Sequence, residues 1–248
     1  MSRNQVPPSS LSQEVADKLT SVDTPSICNA LEVVSGGRTN LGFTRGSFVV
    51  ADPALKPVLG FARTATIRSA LPYIDPPESI KARRIAWYEH VAGHGVPVIS
   101  VIQDIDESPG CGAFWGEVHS NLLRGLGVGG ALTNGAVRDL GVLAKGFQIL
   151  AGTISPSHSF VQIASIGGNV QVRGLEIHDG DLIHMDRHGA VVIGAHALPD
   201  LCKGIDIMAE REGILIEASR QPGFSVEVLK GAIERAEAVQ WHRTSEPR

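Results

Sequence analysis

Apolar positions change their period along the chain, and each change marks an element. Residues 12–18 read as the first turns of a helix. Asp23-Thr24-Pro25 reads as an N-cap with proline in the first turn, opening a helix through Ile27, Ala30 and Leu31. Residues 58–67 alternate as a strand does. Ile80, Ile85, Trp87 and Val91 predict a helix over 78–91, and the β-branched run 97–102 predicts a buried strand. Next come a helix over 117–125, a strand over 130–133, a short helix over 140–145 stopped by Gly146, and a strand over 147–151. From there the pattern shortens. Segments 161–166, 170–172, 175–177, 181–185 and 190–193 read as strands separated by G-G-N, H-D-G-D and D-R-H-G turns. Residues 198–218 and 225–241 are predicted helices, the second amphipathic.

A middle that alternates β with α implies parallel strands, and the later run implies a β meander. No repeat, low-complexity stretch or linker divides the chain. The expectation is one α/β domain with helical ends, preceded by a loose polar arm over residues 1–10.

At 248 residues, 43% hydrophobic and 19% charged, the chain is long enough to bury a sizeable core. The net charge of −4 and the lack of any lysine- or arginine-rich run argue against nucleic acid as a partner. Cys28, Cys111 and Cys202 are widely spaced and form no C-x-x-C pair, which fits a reducing compartment better than a disulfide framework. No signal-peptide core and no uninterrupted apolar run of membrane-spanning length is present. The expected setting is soluble and cytoplasmic, with no membrane contact.

Candidate chemistry concentrates between Trp115 and Asp139. Arg138-Asp139 stands just past a buried-looking strand, where α/β folds place ligands. An aspartate can bind Mg²⁺ or Mn²⁺ with waters completing the shell, and a neighbouring guanidinium offers a planar fork to a carboxylate or enolate oxygen. The same pair also suits a salt bridge at a helix start. Gly116-Glu117 opens a helix whose N–H groups can cradle an anion, and Glu117 can orient a water or simply favour the helix dipole.

Asp104, Asp106 and Glu107 form an acidic loop that reads either as extra metal or water ligands or as a solvated turn. His90 and His94 have zinc-helix spacing but lack the glutamate between them, so a surface helix end is the simpler reading. His119 sits one turn into the Glu117 helix and could face the site. His178, His184 and His188 lie in the turn-rich β region and need not converge. No lysine stands inside the run, so a Schiff base has no obvious nucleophile. Gly127-Val128-Gly129-Gly130 precedes a strand instead of following one, unlike a dinucleotide loop.

At these residues the chain resembles the family of 4-hydroxy-4-methyl-2-oxoglutarate aldolases and RraA proteins. The likeness is carried by W-G-E at 115–117, G-V-G-G-A-L-T-N-G-A-V-R-D at 127–139 and V-R-G-L-E-I-H-D-G-D-L-I-H-M-D-R-H-G-A-V-V-I at 172–193. T-P-S-I-C-N-A-L at 24–31 and G-F-A-R-T-A-T-I at 60–67 add to it. The resemblance implies a compact α/β/β-type domain over 20–200, an N-terminal arm over 1–19 and a C-terminal helical extension over 201–248. It further implies a trimeric or hexameric homo-oligomer with sites between subunits.

In the aldolase branch, Asp139 would bind the divalent metal (Mg²⁺, Mn²⁺ or another) and Arg138 the pyruvyl oxygens. The turn Gly116, Glu117, Val118 and His119 would hold the substrate, with Glu117 managing a catalytic water. The regulator branch tends to lack the metal aspartate. Val118-His119 replaces the family's usual apolar pair, Asn29 stands where aspartate is common, and the loop Ser155-Pro156-Ser157-His158 matches no known specificity. The expected activity is therefore metal-dependent carbon–carbon cleavage of a 2-oxo acid. The alternative is a non-catalytic regulator that binds a ribonuclease or another protein.

Overall fold

Caps set the first two helices. In the computed structural model, which describes residues 5–240, the Ser12 hydroxyl accepts the Val15 N–H to start α1 (Gln13–Thr20). Asp23 accepts the Ser26 N–H at 3.0 Å to start α2 (Thr24–Ser35). Residues 8–10 of the expected loose arm form a 3₁₀ turn, and Val6 is buried. The first four residues, and the end of the expected 225–241 helix with Trp241, lie outside the described residues.

The chain continues through β1 (Val49–Val50), β2 (Val58–Arg68), α3 (Pro77–Val91), β3 (Val98–Asp104), β4 (Ala113–Trp115), α4 (Glu117–Gly125), β5 (Val128–Thr133) and β6 (Ala136–Val137). Its second half holds β7 (Gln148–Ala151), β8 (Thr153–Ile154), β9 (Gln162–Ile166), β10 (Asn169–Val172), β11 (Leu175–His178), β12 (Leu182–Asp186), β13 (Gly189–Ile193), α5 (Leu198–Ser219) and α6 (Val226–Ala238). The main sheet runs β1-β7-β5-β3-β2-β12-β13, with β9 beside the far end of β2. Strands β2, β3, β5 and β7 are parallel, as the α/β alternation implies, and β12 and β13 return antiparallel. Strands β10 and β11 form a hairpin, and β4, β6 and β8 form a small parallel sheet of their own.

Side-chain parity in β3 shows how the layers form. Val98 and Ile102 face one way, into a core with Trp87 and Val91 of α3 and Leu123 of α4. Ile99 and Val101 face the other way, onto Val170, Val172, Leu175 and Ile177 of the hairpin. Helices, sheet and hairpin thus make an α/β/β arrangement. A further core joins α1, α2 and α5 to Leu59, Phe61, Leu182 and Ile193, tying both ends of the chain to one edge of the sheet. Each such aliphatic side chain, once fully buried, contributes about 1.5–3 kcal/mol.

One predicted element is absent. Residues 140–145 form turns and not a helix. Asp139 (φ 59°) and Gly141 (φ 94°) are both left-handed, and two such residues so close together cannot continue a right-handed helix. The segment is instead tied down by the Ala144 N–H, which donates to the Ser120 hydroxyl at 3.0 Å. Among the described residues, no helix is long and apolar enough to cross a membrane.

Candidate functional site

Register brings the two motifs together. Trp115 of β4 pairs with Val137 of β6, and the Arg138 N–H donates to the Trp115 carbonyl at 2.9 Å. The residues that follow, Gly116-Glu117 and Arg138-Asp139, therefore emerge side by side. Helix α4 starts at Gly116 with no side-chain cap of its own. Asp139 supplies one from across the sheet, its Oδ2 accepting the Glu117 N–H at 3.1 Å. Arg138 Nε lies 3.5 Å from the same oxygen. A Cβ at Gly116 would sit 2.5 Å from Asp139 Oδ2 and 3.1 Å from Arg138 Cγ, so only glycine allows this close approach.

What the corner leaves uncommitted matters as much. Arg138 and Asp139 side chains are 34% and 32% exposed. Among the described residues, Asp139 Oδ1 accepts no hydrogen bond and the two terminal nitrogens of Arg138 donate none. Nor do the first-turn N–H groups of Val118 and His119 find an acceptor. Positive helix-end dipole, an open guanidinium fork and one free carboxylate oxygen face a shared surface, with the exposed Glu117 at its edge. Such a set can hold a carboxylate and polarise an adjacent carbonyl.

Among the described residues, no group of three or more His, Cys, Asp or Glu side chains could hold a metal ion. A cation held by protein ligands alone is therefore not what this donor set suits. It does suit a hard ion that keeps several waters and takes one carboxylate oxygen, the habit of Mg²⁺. Asp139 fits that role because Oδ2 is tied to Glu117 while Oδ1 stays open.

His119 divides its contribution. Its ring stacks on Phe114 at 4.5 Å and meets Trp87 edge-on at 5.8 Å. Nδ1 lies 2.6 Å from the Phe114 carbonyl, which can only accept, so Nδ1 carries the proton. Burial pushes the imidazole pKa down; the Phe114 carbonyl opposes this, and the nearby charges of Arg84 and Arg138 add to it. The side chain thus belongs to an aromatic wall behind the corner, while the backbone N–H belongs to the cradle. Val118 points its side chain into solvent.

The remaining candidates are placed elsewhere. Asp104 accepts the Gly110 and Asp106 N–H groups, and Asp106 accepts those of Ser69 and Ala70, so both brace loops. Burial raises the Asp104 pKa. Glu107 is exposed. His94 lies past the end of α3, and His90 bonds Asp179 at 2.9 Å. His184 is fixed between Thr24 and the Leu19 carbonyl, and His188 pairs with Asp186. His158 bonds the neighbouring Ser159 carbonyl.

Sequence reasoning missed Asp179, which joins the Thr64 backbone, His90 and Arg63. Burial alone would raise its pKa; the His90 and Thr64 hydrogen bonds outweigh that and hold it low. An H-D-G turn carries no signal of such distant partners.

A cleft of about 660 Å³ between α1 and α5 does not coincide with this corner. It is lined by Val6, Val15 and Leu198 beside Glu14 and Cys202, and its Lys18 is paired with Asp206. Chemistry, not volume, favours the Arg138 corner.

A model of the RraA-like family, Aldolase/RraA, matches residues 24–192. No curated protein matches the chain significantly. Among solved structures, an uncharacterized protein from Pseudomonas syringae pv. tomato is 20% identical with a TM-score of 0.66, covering 92% of this chain and 94% of its own. RraAS2 of Streptomyces coelicolor, an unusual member of the RNase ES inhibitor RraA protein family, is 20% identical with a TM-score of 0.63, covering 86% and 98%. A structure described under novel cellulases from gut-associated microbes is 14% identical with a TM-score of 0.66, covering 82% and 87%. At these identities the likeness shows the fold alone.

Proposed function

The chain belongs to the RraA-like family, which includes both aldolases and RNase inhibitors, and from that premise we propose that it is a divalent-metal-dependent carbon–carbon lyase acting on a 2-oxo acid. The observation that carries this reading is the division of labour at Asp139, with Oδ2 capping Glu117 and Oδ1 left open beside the free fork of Arg138. The cap alone would serve any folded protein; the open oxygen beside the guanidinium is what favours the lyase.

Asp139 would hold the ion, with waters completing its shell, and an ion so held withdraws electrons from a 2-oxo group. The N–H groups of Val118 and His119, at the positive end of α4, suit the substrate carboxylate. In retro-aldol cleavage of a 4-hydroxy-2-oxo acid, the 4-hydroxyl passes its proton through a water to the Glu117 carboxylate and the C3–C4 bond breaks. The electron pair moves onto the 2-oxo group, leaving pyruvate enolate and a carbonyl product. In oxaloacetate decarboxylation, carbon dioxide leaves and the same enolate forms. Arg138 stabilises the developing oxygen charge, an effect worth about 3–4 kcal/mol per aimed donor. A water held by Glu117 then protonates C3.

We read the working form as a homo-oligomer, trimer or hexamer, with the corner completed at a subunit boundary. An exposed apolar rim supports this: Val118 and Leu122 of α4 and Leu126 at its C-cap recur every fourth residue, and Leu140 and Val142 follow Asp139.

Pyruvate release from oxaloacetate and from a panel of 4-hydroxy-2-oxo acids, assayed with Mg²⁺, Mn²⁺ and a chelator, tests the activity. Turnover that needs the ion supports the lyase. No turnover with any ion, together with stable binding of a ribonuclease, would put the non-catalytic regulator in its place.

A further inference from the structure

Outside the Arg138 corner, the Arg173 guanidinium stands without a counter-charge among the described residues. Arg173 occupies the turn between β10 and β11 at φ 45°, a left-handed conformation that suits glycine or asparagine better than arginine. Its guanidinium carbon lies 5.2 Å over the Phe48 ring, Nη2 donates to the Gly152 carbonyl at 2.7 Å, and Nε is buried with no acceptor. Among the described residues no carboxylate comes within ion-pair distance of it. Asp104, whose backbone bonds the neighbouring Asn134, has its carboxylate committed to the Gly110 and Asp106 N–H groups. The Phe48 ring and the Gly152 carbonyl offset part of the cost of holding this half-buried cation, but no carboxylate offsets the rest.

Arg173 lines a cavity of about 390 Å³ together with Gln103, Pro109, Asn134, Thr153 and Gln171. Gln103 uses its side-chain oxygen to accept the Gln171 N–H, and its amide nitrogen has no acceptor among the described residues. Asn134 is turned away, bonded through both amide atoms to the Asp104 backbone. Arg45 braces the turn from outside the cavity, its backbone N–H donating to the Arg173 carbonyl at 2.8 Å and its guanidinium to the Asn40 carbonyl at 2.9 Å. Donors and positive charge therefore predominate, in a space that fits a small molecule.

We propose that this cavity binds a small oxyanion, the carboxylate or phosphate group of a metabolite-sized ligand, through Arg173. It is separate from the Arg138 corner: Asn134 and Gly152 precede β6 and β8, whereas Arg138 follows β6. The proposal does not depend on the lyase reading.

Calorimetric titration of the full-length protein with inorganic phosphate and, separately, with succinate tests it at constant ionic strength. The titrations are run in the Arg138→Met background, which silences the carboxylate-holding corner, and repeated with Arg173→Gly added, which removes the fork while favouring the observed backbone, or Arg173→Gln, in case the glycine variant misfolds. One saturable site per chain is expected in Arg138→Met for at least one probe, weakened about tenfold or more when either Arg173 substitution is added. Phosphate alone would identify a phosphoryl ligand, succinate alone a carboxylate, and both a general oxyanion site. Binding that survives either Arg173 substitution in that background, or no saturable uptake of either probe by Arg138→Met, would overturn the proposal.

Discussion

Asp139 caps a helix that begins 22 residues earlier: its Oδ2 accepts the N–H of Glu117 at 3.1 Å. The same carboxylate is the proposed metal ligand, so its two oxygens serve fold and chemistry separately. Substitutions at one position can therefore pull the two roles apart.

Asp139→Asn keeps an oxygen for the cap and tolerates the left-handed backbone, but loses the charge that attracts a cation. Its stability should stay within about 0.5 kcal/mol of the parent while metal-dependent turnover disappears. Asp139→Ala should lose turnover too and, with the cap gone, about 0.5–2 kcal/mol of stability. Denaturant unfolding and the pyruvate assay together decide this, and ion-dependent turnover in the asparagine variant would refute the assignment.

Arg138→Lys preserves charge but replaces a planar fork with a point charge. A fall in kcat/KM of about 10²–10³-fold is expected, the loss typical of one donor aimed at a developing oxyanion. Kinetics close to the parent would count against recognition of the substrate through the guanidinium.

Gly116→Ala places a methyl group 2.5 Å from Asp139 Oδ2, so either the aspartate or the helix start must move. Overpacking of this kind costs about 1–3 kcal/mol. Activity should fall further than stability, because the displaced group is the proposed ligand. A variant with parental unfolding and parental rates would show that the corner is looser than described.

Burial holds the pKa values of His119 and His184 below the usual 6.5. Once the pH drops under that value, the unfolded chain takes up protons that the folded chain refuses. The contribution of these neutral rings is thus full above pH 6.5 and shrinks as the pH falls towards their folded pKa values. His119→Phe should make the decline in unfolding midpoint between about pH 7.5 and 5 shallower, leaving the share due to His184. Equal slopes in parent and variant would contradict this.

Strand β3 is readable from sequence because burial on both faces favours its continuous β-branched run. Strand β2, whose sequence alternates, is also buried on both faces, and α3 buries only Trp87 and Val91 of its expected face while Ile85 is exposed. The stretch 140–145 is not readable, since Leu140, Leu143 and Ala144 have the spacing of a helix face yet lie in turns, with Leu140 exposed. What prevents the helix is the left-handed Asp139, held through its tether to Glu117, and local propensity carries no trace of that tether. The W-G-E and R-D motifs each stand out, but their adjacency comes from the register of β4 on the two-residue β6, too short to leave a period. Arg173 and Asp179 are silent in the sequence because their partners, Phe48 and Gly152 for one and Arg63 and His90 for the other, arrive from remote segments.

The most direct test of the central claim is an electron paramagnetic resonance titration of Mn²⁺ into the parent protein and Asp139→Asn, with oxalate present as a pyruvate-enolate mimic. The account predicts one bound Mn²⁺ per chain in the parent and none in the variant. Equal Mn²⁺ uptake by both proteins, or none by either, would contradict it.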